Sequence, residues 1–269
     1  MATVNQITSI IKNFAPESAA MIHENDNVGL LLGDDNAKVS SVVVALDASL
    51  AVLKEAIDLK AELIVCHHPF IYGSIKRVNA SDLLGQKILL AAQNGINIYA
   101  AHTNLDFVAG GINDFLASSL GLRGVLPLDP YIDKTQGFGR VGELANKVSA
   151  VEFKNQISLF LKDNNVRMVA SSGATVRKIA IINGGGGGDT KYIDIAKDMG
   201  ADCLVTADVK HHVAVYASEL GLTLIEPDHY TMEHIYLSRL VQMLKIEAKA
   251  SNLGIEVFQS KQDINPKNS

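Results

Sequence analysis

The chain has 269 residues, 48% of them hydrophobic, and a formal net charge of −5. That length suits one large or two ordinary domains, and the apolar content is ample for a core. The mild negative charge, with no basic run, argues against a sequence-independent grip on nucleic acid, which needs clustered lysine and arginine.

In chain order, the start lacks the charged and then apolar regions of a signal peptide. Val4, Ile7, Ile10, Ile11 and Phe14 recur at helical spacing and predict an amphipathic helix, ended by Ala15-Pro16. A short helix is expected from Glu17 to Ile22, then a turn-rich stretch from Asp26 to Leu30. Ser41 to Leu46 reads as a buried strand ending in Asp47, Ser49 to Leu59 as a helix, and Leu63 to Cys66 as a second strand. This is a βαβ unit, so the two strands should be parallel. The second strand stops at His67-His68-Pro69, because Pro69 has no N–H to donate and disfavours helix at His68. A helix from Ser81 to Asn94, with Ser81 as its N-cap, precedes a strand from Ile96 to Ala101 and the segment His102-Thr103-Asn104-Leu105-Asp106. Ile112 to Leu120 is helical again. Alternating strand and helix is the α/β pattern.

From Gly124 to Gly142 glycines, prolines and scattered charges change the texture, which places a domain boundary there. Beyond it come a helix from Ser149 to Lys162 and a strand from Lys178 to Ile182. Asn183 and five glycines, Gly184 to Gly188, then precede a helix from Tyr192 to Met199. A strand from Cys203 to Thr206, a helix from His212 to Leu220 and a strand from Leu222 to Ile225 follow. One long helix from Thr231 to Ala250 and a last strand from Ile255 to Phe258 complete the chain. The expected organisation is a first α/β lobe, residues 1–124 plus 229–269, carrying most of the candidate ligands, and a second α/β lobe, residues 125–228. No apolar run reaches the ~18 residues of a membrane span. Cys66 and Cys203 sit in apolar runs and read as small buried hydrophobes. A soluble, cytoplasmic protein is expected, with no membrane partner.

Seven of the eight histidines lie just after predicted strands or within the next turn: His67, His68, His102, His211, His212, His229 and His234. Ligands of open parallel sheets collect outside the carboxyl ends of strands. Two adjacent imidazoles at a strand end can converge, as a hydrogen-bonded pair or on a metal. His102 and Asp106 are four apart, as are His229 and Glu233, and that spacing shares one helical face. Each acid could instead serve as a capping or first-turn residue. His211 and His212 leave three readings open: pocket lining, phosphate contact or helix capping. Together His67, His68, His102, Asp106, His229 and Glu233 give four imidazoles and two carboxylates, more than the three protein ligands of a mononuclear catalytic zinc. Six donors suit two metals bridged by a carboxylate, and mixed nitrogen and oxygen donors point to transition metals. The glycine run is followed by Asp189-Thr190-Lys191 and is no Walker motif; it reads as a flexible turn or a phosphate cradle.

The segments DNVGL at 26–30, ALDAS at 45–49, CHHPF at 66–70, HTNLD at 102–106, GFGRVGEL at 137–144, TADVKHH at 206–212 and DHYTMEH at 228–234 resemble, in order, those of the NIF-three-like dinuclear metal-centre family, also called type 2 homologues of GTP cyclohydrolase I. The resemblance implies an α/β, NIF-three-like fold of two α/β lobes with a dinuclear metal site between them. It also implies metal ligands at His67, His68, Asp106, His229 and Glu233, with His102 at the edge of the site, and a toroidal homohexamer. Two divalent transition-metal ions per chain (zinc, iron or manganese) are expected. The function expected on these grounds is metal-dependent hydrolysis of a nucleotide or phosphorylated small molecule. Glu233 and His102 are the catalytic candidates, the latter as proton shuttle. The rival expectation is a non-catalytic, metal-binding scaffold or regulator forming a ring.

Overall fold

The computed structural model describes residues 1–22, 26–131 and 135–267. The chain divides into two compact units, residues 1–105 with 237–269 and residues 106–236. The change of texture near Gly124 is therefore not where the units part, and neither is residue 228.

The first unit is built on a five-stranded sheet in the order Glu256–Gln259, Ser41–Ala45, Leu63–Cys66, Asn97–Ala100, Gly29–Leu32. The first four strands are parallel and the last is antiparallel. The helices Leu50–Asp58 and Leu83–Gln93 supply the crossovers that parallel neighbours require. The inner strands are buried along their whole length, which is why they read as unbroken apolar runs. Val43, Ile64 and Ile98 meet Val52, Leu53 and Ala56 of one crossover helix and Ile88 and Ala91 of the other. The helix Val4–Phe14 starts at a capping box, in which the Thr3 hydroxyl accepts from the Gln6 amide and the Thr3 amide donates to Gln6 Oε1. The helix Leu83–Gln93 starts at Asp82 rather than Ser81, because the carboxylate accepts from the Gly85 amide at 2.6 Å.

After the strand Glu256–Gln259 the chain is held beneath the neighbouring strand end. The Lys261 amide donates to Glu55 Oε1 at 2.9 Å, and the Leu46 amide donates to the Asp263 carboxylate. Burial raises the Asp263 pKa to about 6 from an ordinary 3.8, against the lowering effect of the Leu46 and Asp47 amides. A raised folded-state pKa gives a contribution that is full below 3.8 and lost as pH rises through about 6. Wild-type stability minus that of Asp263→Asn is therefore expected to fall across that window, as read by urea titration at each pH. A flat difference would show that the carboxyl group is not desolvated.

The second unit is built on a six-stranded sheet in the order Arg123–Tyr131, Gln136–Ser149, Thr175–Ile181, Cys203–Val205, Thr223–Glu226, Arg167–Val169. Three of its four inner strands, Thr175–Ile181, Cys203–Val205 and Thr223–Glu226, are parallel; the other pairings are antiparallel. The glycine- and proline-rich stretch that reads as a boundary lies in two long antiparallel strands, Arg123–Tyr131 and Gln136–Ser149. Pro127 and Pro130 are tolerated because Arg123–Tyr131 is an edge strand. The segment predicted as one final helix is two, His229–His234 and Leu237–Ala250. No proline or glycine breaks it. The Tyr236 amide bonds the Glu233 carbonyl three residues back, while the buried Tyr236 hydroxyl donates to the Gly110 carbonyl at 3.0 Å.

Arg140 is the largest side chain buried almost fully in this unit. Its guanidinium donates to both Asp114 carboxylate oxygens at 2.8 Å and to the carbonyls of Gly137 and Gly139 at 2.7 Å. Asp114→Asn keeps the shape but leaves one N–H unmatched and the charge uncompensated. It is expected to cost about 2 kcal/mol in denaturant titration. An unchanged midpoint would mean that the carbonyls alone satisfy the guanidinium.

Among the described residues no helix is long and apolar enough to cross a membrane.

Candidate metal centre

In the first unit the ladder runs past Cys66: the amides of His67 and His68 donate to the carbonyls of Ala45 and Leu46 at 3.2 and 2.9 Å. The two imidazoles nonetheless converge, with ring centroids 5.2 Å apart, and His102 joins them at 5.2 Å from His67 and 5.9 Å from His68. One ring nitrogen of each of His67, His68 and His102 lies within 4.8 Å of the others. Each Nδ1 faces an oxygen acceptor: Ala101 O for His67 at 2.8 Å, Asp47 Oδ1 for His68 at 3.0 Å and Asp26 Oδ1 for His102 at 2.7 Å. An acceptor at Nδ1 fixes the proton there in the neutral ring and presents Nε2 as a lone-pair donor, the usual arrangement around a metal. Burial would raise the Asp26 pKa, but the hydrogen bond and charge of His102, with the Thr103 hydroxyl and amide, hold it below the ordinary carboxylate value. Cys66 is apart from this chemistry. It is fully buried in the core, and burial pushes its thiol up to about 12, so no thiolate is offered.

In the second unit His229 and Glu233 lie on the helix that follows the parallel strand Thr223–Glu226, and Asp106 lies on the short helix Thr103–Phe107. Asp106 and Glu233 are both buried, and the Asn183 amide donates to both, at 2.8 Å to Asp106 Oδ1 and 3.0 Å to Glu233 Oε1. Asn183 cannot turn over, because Asn113 grips it reciprocally: Asn113 Nδ2 donates to its Oδ1 at 2.6 Å, and its own backbone N–H donates to Asn113 Oδ1 at 2.9 Å. Two carboxylates sharing one amide in a buried pocket is an arrangement that a cation relieves. His229 adds Nε2 at 3.0 Å from Glu233 Oε2, with Nδ1 at 2.6 Å from Asp208 Oδ2. Asp208 has the left-handed φ of +53° that asparagine and aspartate tolerate best. Burial alone would lower the His229 pKa; hydrogen bonds and charge from Glu233 and Asp208 outweigh it and raise the value to about 9.

The glycine run borders this pocket at Gly184. Gly184–Gly188 forms 3₁₀-type turns with a kink at Gly185. Gly184 has φ of +61°, and a Cβ there would come 2.3 Å from Glu233 Oε1 and 3.3 Å from His229 Nε2. Space that only glycine leaves beside a carboxylate and an imidazole, together with the nitrogen and oxygen donors, fits a transition-metal ion.

Of the five predicted ligands, His67 and His68 thus lie together in the first unit, joined there by His102, and Asp106, His229 and Glu233 lie in the second. His211 and His212 are exposed on the first turn of the helix His211–Glu219 and join neither cluster. Sequence reasoning missed the groups that orient the imidazoles, Asp26, Asp47 and Asp208, and the Asn183 clamp. Asp47 and Asn183 carried a signal: each is the first polar residue after a buried strand.

A sequence model of the family described as Duf34/NIF3 (NGG1p interacting factor 3) matches residues 2–266. A Clostridium perfringens protein named GTP cyclohydrolase 1 type 2 homolog is 35% identical, with 90% of this chain and 91% of that one covered. A Clostridium acetobutylicum protein of the same name is 32% identical, over 98% and 97%. Among solved structures, a Bacillus cereus protein related to NIF3 superposes with a TM-score of 0.90 at 25% identity, covering 98% of each chain.

Proposed function

We propose, given that this chain belongs to the Duf34/NIF3 family, that it is a cytoplasmic hydrolase in which His67, His68, His102, Asp106, His229 and Glu233 hold two divalent transition-metal ions and act on a nucleotide or phosphorylated small molecule. The observation that carries the reading is the anchoring of all four Nδ1 atoms on oxygen acceptors, which prepares four Nε2 atoms for ligation. Such ions, when bound, supply Lewis acidity and lower the pKa of water toward neutrality.

The remaining work falls to the chain. Asn183 keeps the Asp106 and Glu233 carboxylates facing a common point, and Gly184 leaves room beside them. Asp47 and Asp208 fix the tilt of His68 and His229. His102, hydrogen-bonded to Asp26, is placed both to ligate and to pass a proton to that carboxylate. A toroidal homohexamer is part of the proposal, and sedimentation of the purified protein tests it.

The relatives' name supports GTP ring opening as the first substrate to try. Metal-loaded protein is incubated with GTP and a panel of phosphoesters, and products are separated by chromatography. A metal-dependent product lost in His102→Gln is the expected result. No turnover of any substrate would favour the non-catalytic scaffold instead.

A further inference from the structure

The second unit contains a cavity of about 480 Å³ whose lining includes Arg123, Leu126, Glu143, Arg177, Lys178 and Met199. It is far from the metal ligands of the same unit. Lys178 precedes Asn183 by five residues in one extended run, about 17 Å at ~3.3 Å per residue.

The sheet makes this cavity through broken register. Between the strands Arg123–Tyr131 and Gln136–Ser149, the pairing steps from Arg123 with Glu143 to Leu126 with Val141. Between Gln136–Ser149 and Thr175–Ile181 it steps from Val176 with Val148 to Lys178 with Glu143. Both irregularities fall at lining residues. Bulges at such places bend a strand away from its partner and re-aim side chains. Gly142 keeps the floor open, since a Cβ there would lie 3.0 Å from the Arg123 carbonyl.

The chemistry is one-sided. Glu143 is the one acid among the lining residues, and its Oε2 lies 3.0 Å from Arg177 Nη2. The Asp202 carboxylate nearby is turned to the backbone amides of Arg177 and Lys178, at 2.9 Å each. Arg123 and Lys178 have no carboxylate partner among the described residues, which gives the cavity a net charge of about +2 on an acidic chain. Leu126, 57% exposed, and Met199 offer an apolar wall. The volume lies in the range of small-molecule pockets, roughly 300–1,000 Å³. Guanidinium and ammonium groups beside an apolar wall match a phosphate carried on an apolar or aromatic body.

We propose that this cavity is a second ligand site, independent of the metal centre, for a phosphorylated small molecule. The test is calorimetric binding of AMP, flavin mononucleotide and inorganic pyrophosphate to the metal-loaded protein, with adenosine as the uncharged control. At least one phosphorylated probe is expected to bind, more weakly at high salt. Arg123→Gln with Lys178→Gln should weaken it about tenfold or more at an unchanged thermal midpoint, and Glu233→Ala should leave it intact. If the double variant does not fold, Lys178→Gln alone should weaken binding several-fold. The proposal is overturned if no probe binds at millimolar concentration, if the glutamine variants bind as wild type does, or if Glu233→Ala alone abolishes binding.

Discussion

Gly184→Ala is expected to destabilise the protein by about 2–4 kcal/mol and to abolish metal binding in the second-unit cluster. Two independent effects add. The left-handed φ of +61° at Gly184 costs an L-residue roughly 1–2 kcal/mol. The new Cβ would also lie 2.3 Å from Glu233 Oε1, a contact that requires movement. Glu233 has no easy retreat, because Asn183 holds one carboxylate oxygen and His229 the other. The same substitution at Gly188, where a Cβ meets nothing within 4 Å, is the control and should be nearly silent. Thermal unfolding and metal titration of the two variants side by side check this. Equal behaviour would mean that the glycine run is a plain connector.

Glu233→Ala is expected to weaken transition-metal binding more than about a hundredfold, since loss of merely supporting groups already costs ten- to a hundredfold. The metal-free fold should tolerate the change. Removing the carboxylate breaks its pair with His229, yet it also ends the crowding with Asp106 over the shared Asn183 amide. Glu233→Gln keeps the shape and should still lose most of the affinity, because charge rather than bulk is missing. Metal titration monitored by calorimetry, with circular dichroism for the fold, separates the outcomes. Retained affinity in Glu233→Gln would reduce Glu233 to a packing residue.

Much of this was legible in the sequence because inner parallel strands are buried on both faces and read as apolar runs: Ser41–Ala45, Leu63–Cys66 and Cys203–Val205. The histidines stood out because each candidate follows such a run. The paired strands Arg123–Tyr131 and Gln136–Ser149 did not stand out, since edge position lets prolines enter a strand and bulges erase the period-two pattern. The break between His229–His234 and Leu237–Ala250 was hidden too. It is set by Tyr236 packing and its bond to Gly110, partners 126 residues apart. The Nδ1 anchors Asp26, Asp47 and Asp208 are likewise long-range choices, 76, 21 and 21 residues from their histidines. Local periodicity carries no trace of them. The glycine run was visible as a sequence feature, but its reason, the closeness of Gly184 to Glu233, exists only in three dimensions.

The most direct test of the central claim is elemental analysis of the purified protein after dialysis against zinc, iron(II) or manganese(II), with the same treatment of a His67→Ala, Glu233→Ala double variant. Close to two equivalents per wild-type chain and close to none in the double variant are expected, both being folded. Wild-type protein that retains none of the three metals, or a double variant that retains as much as wild type, would contradict that claim.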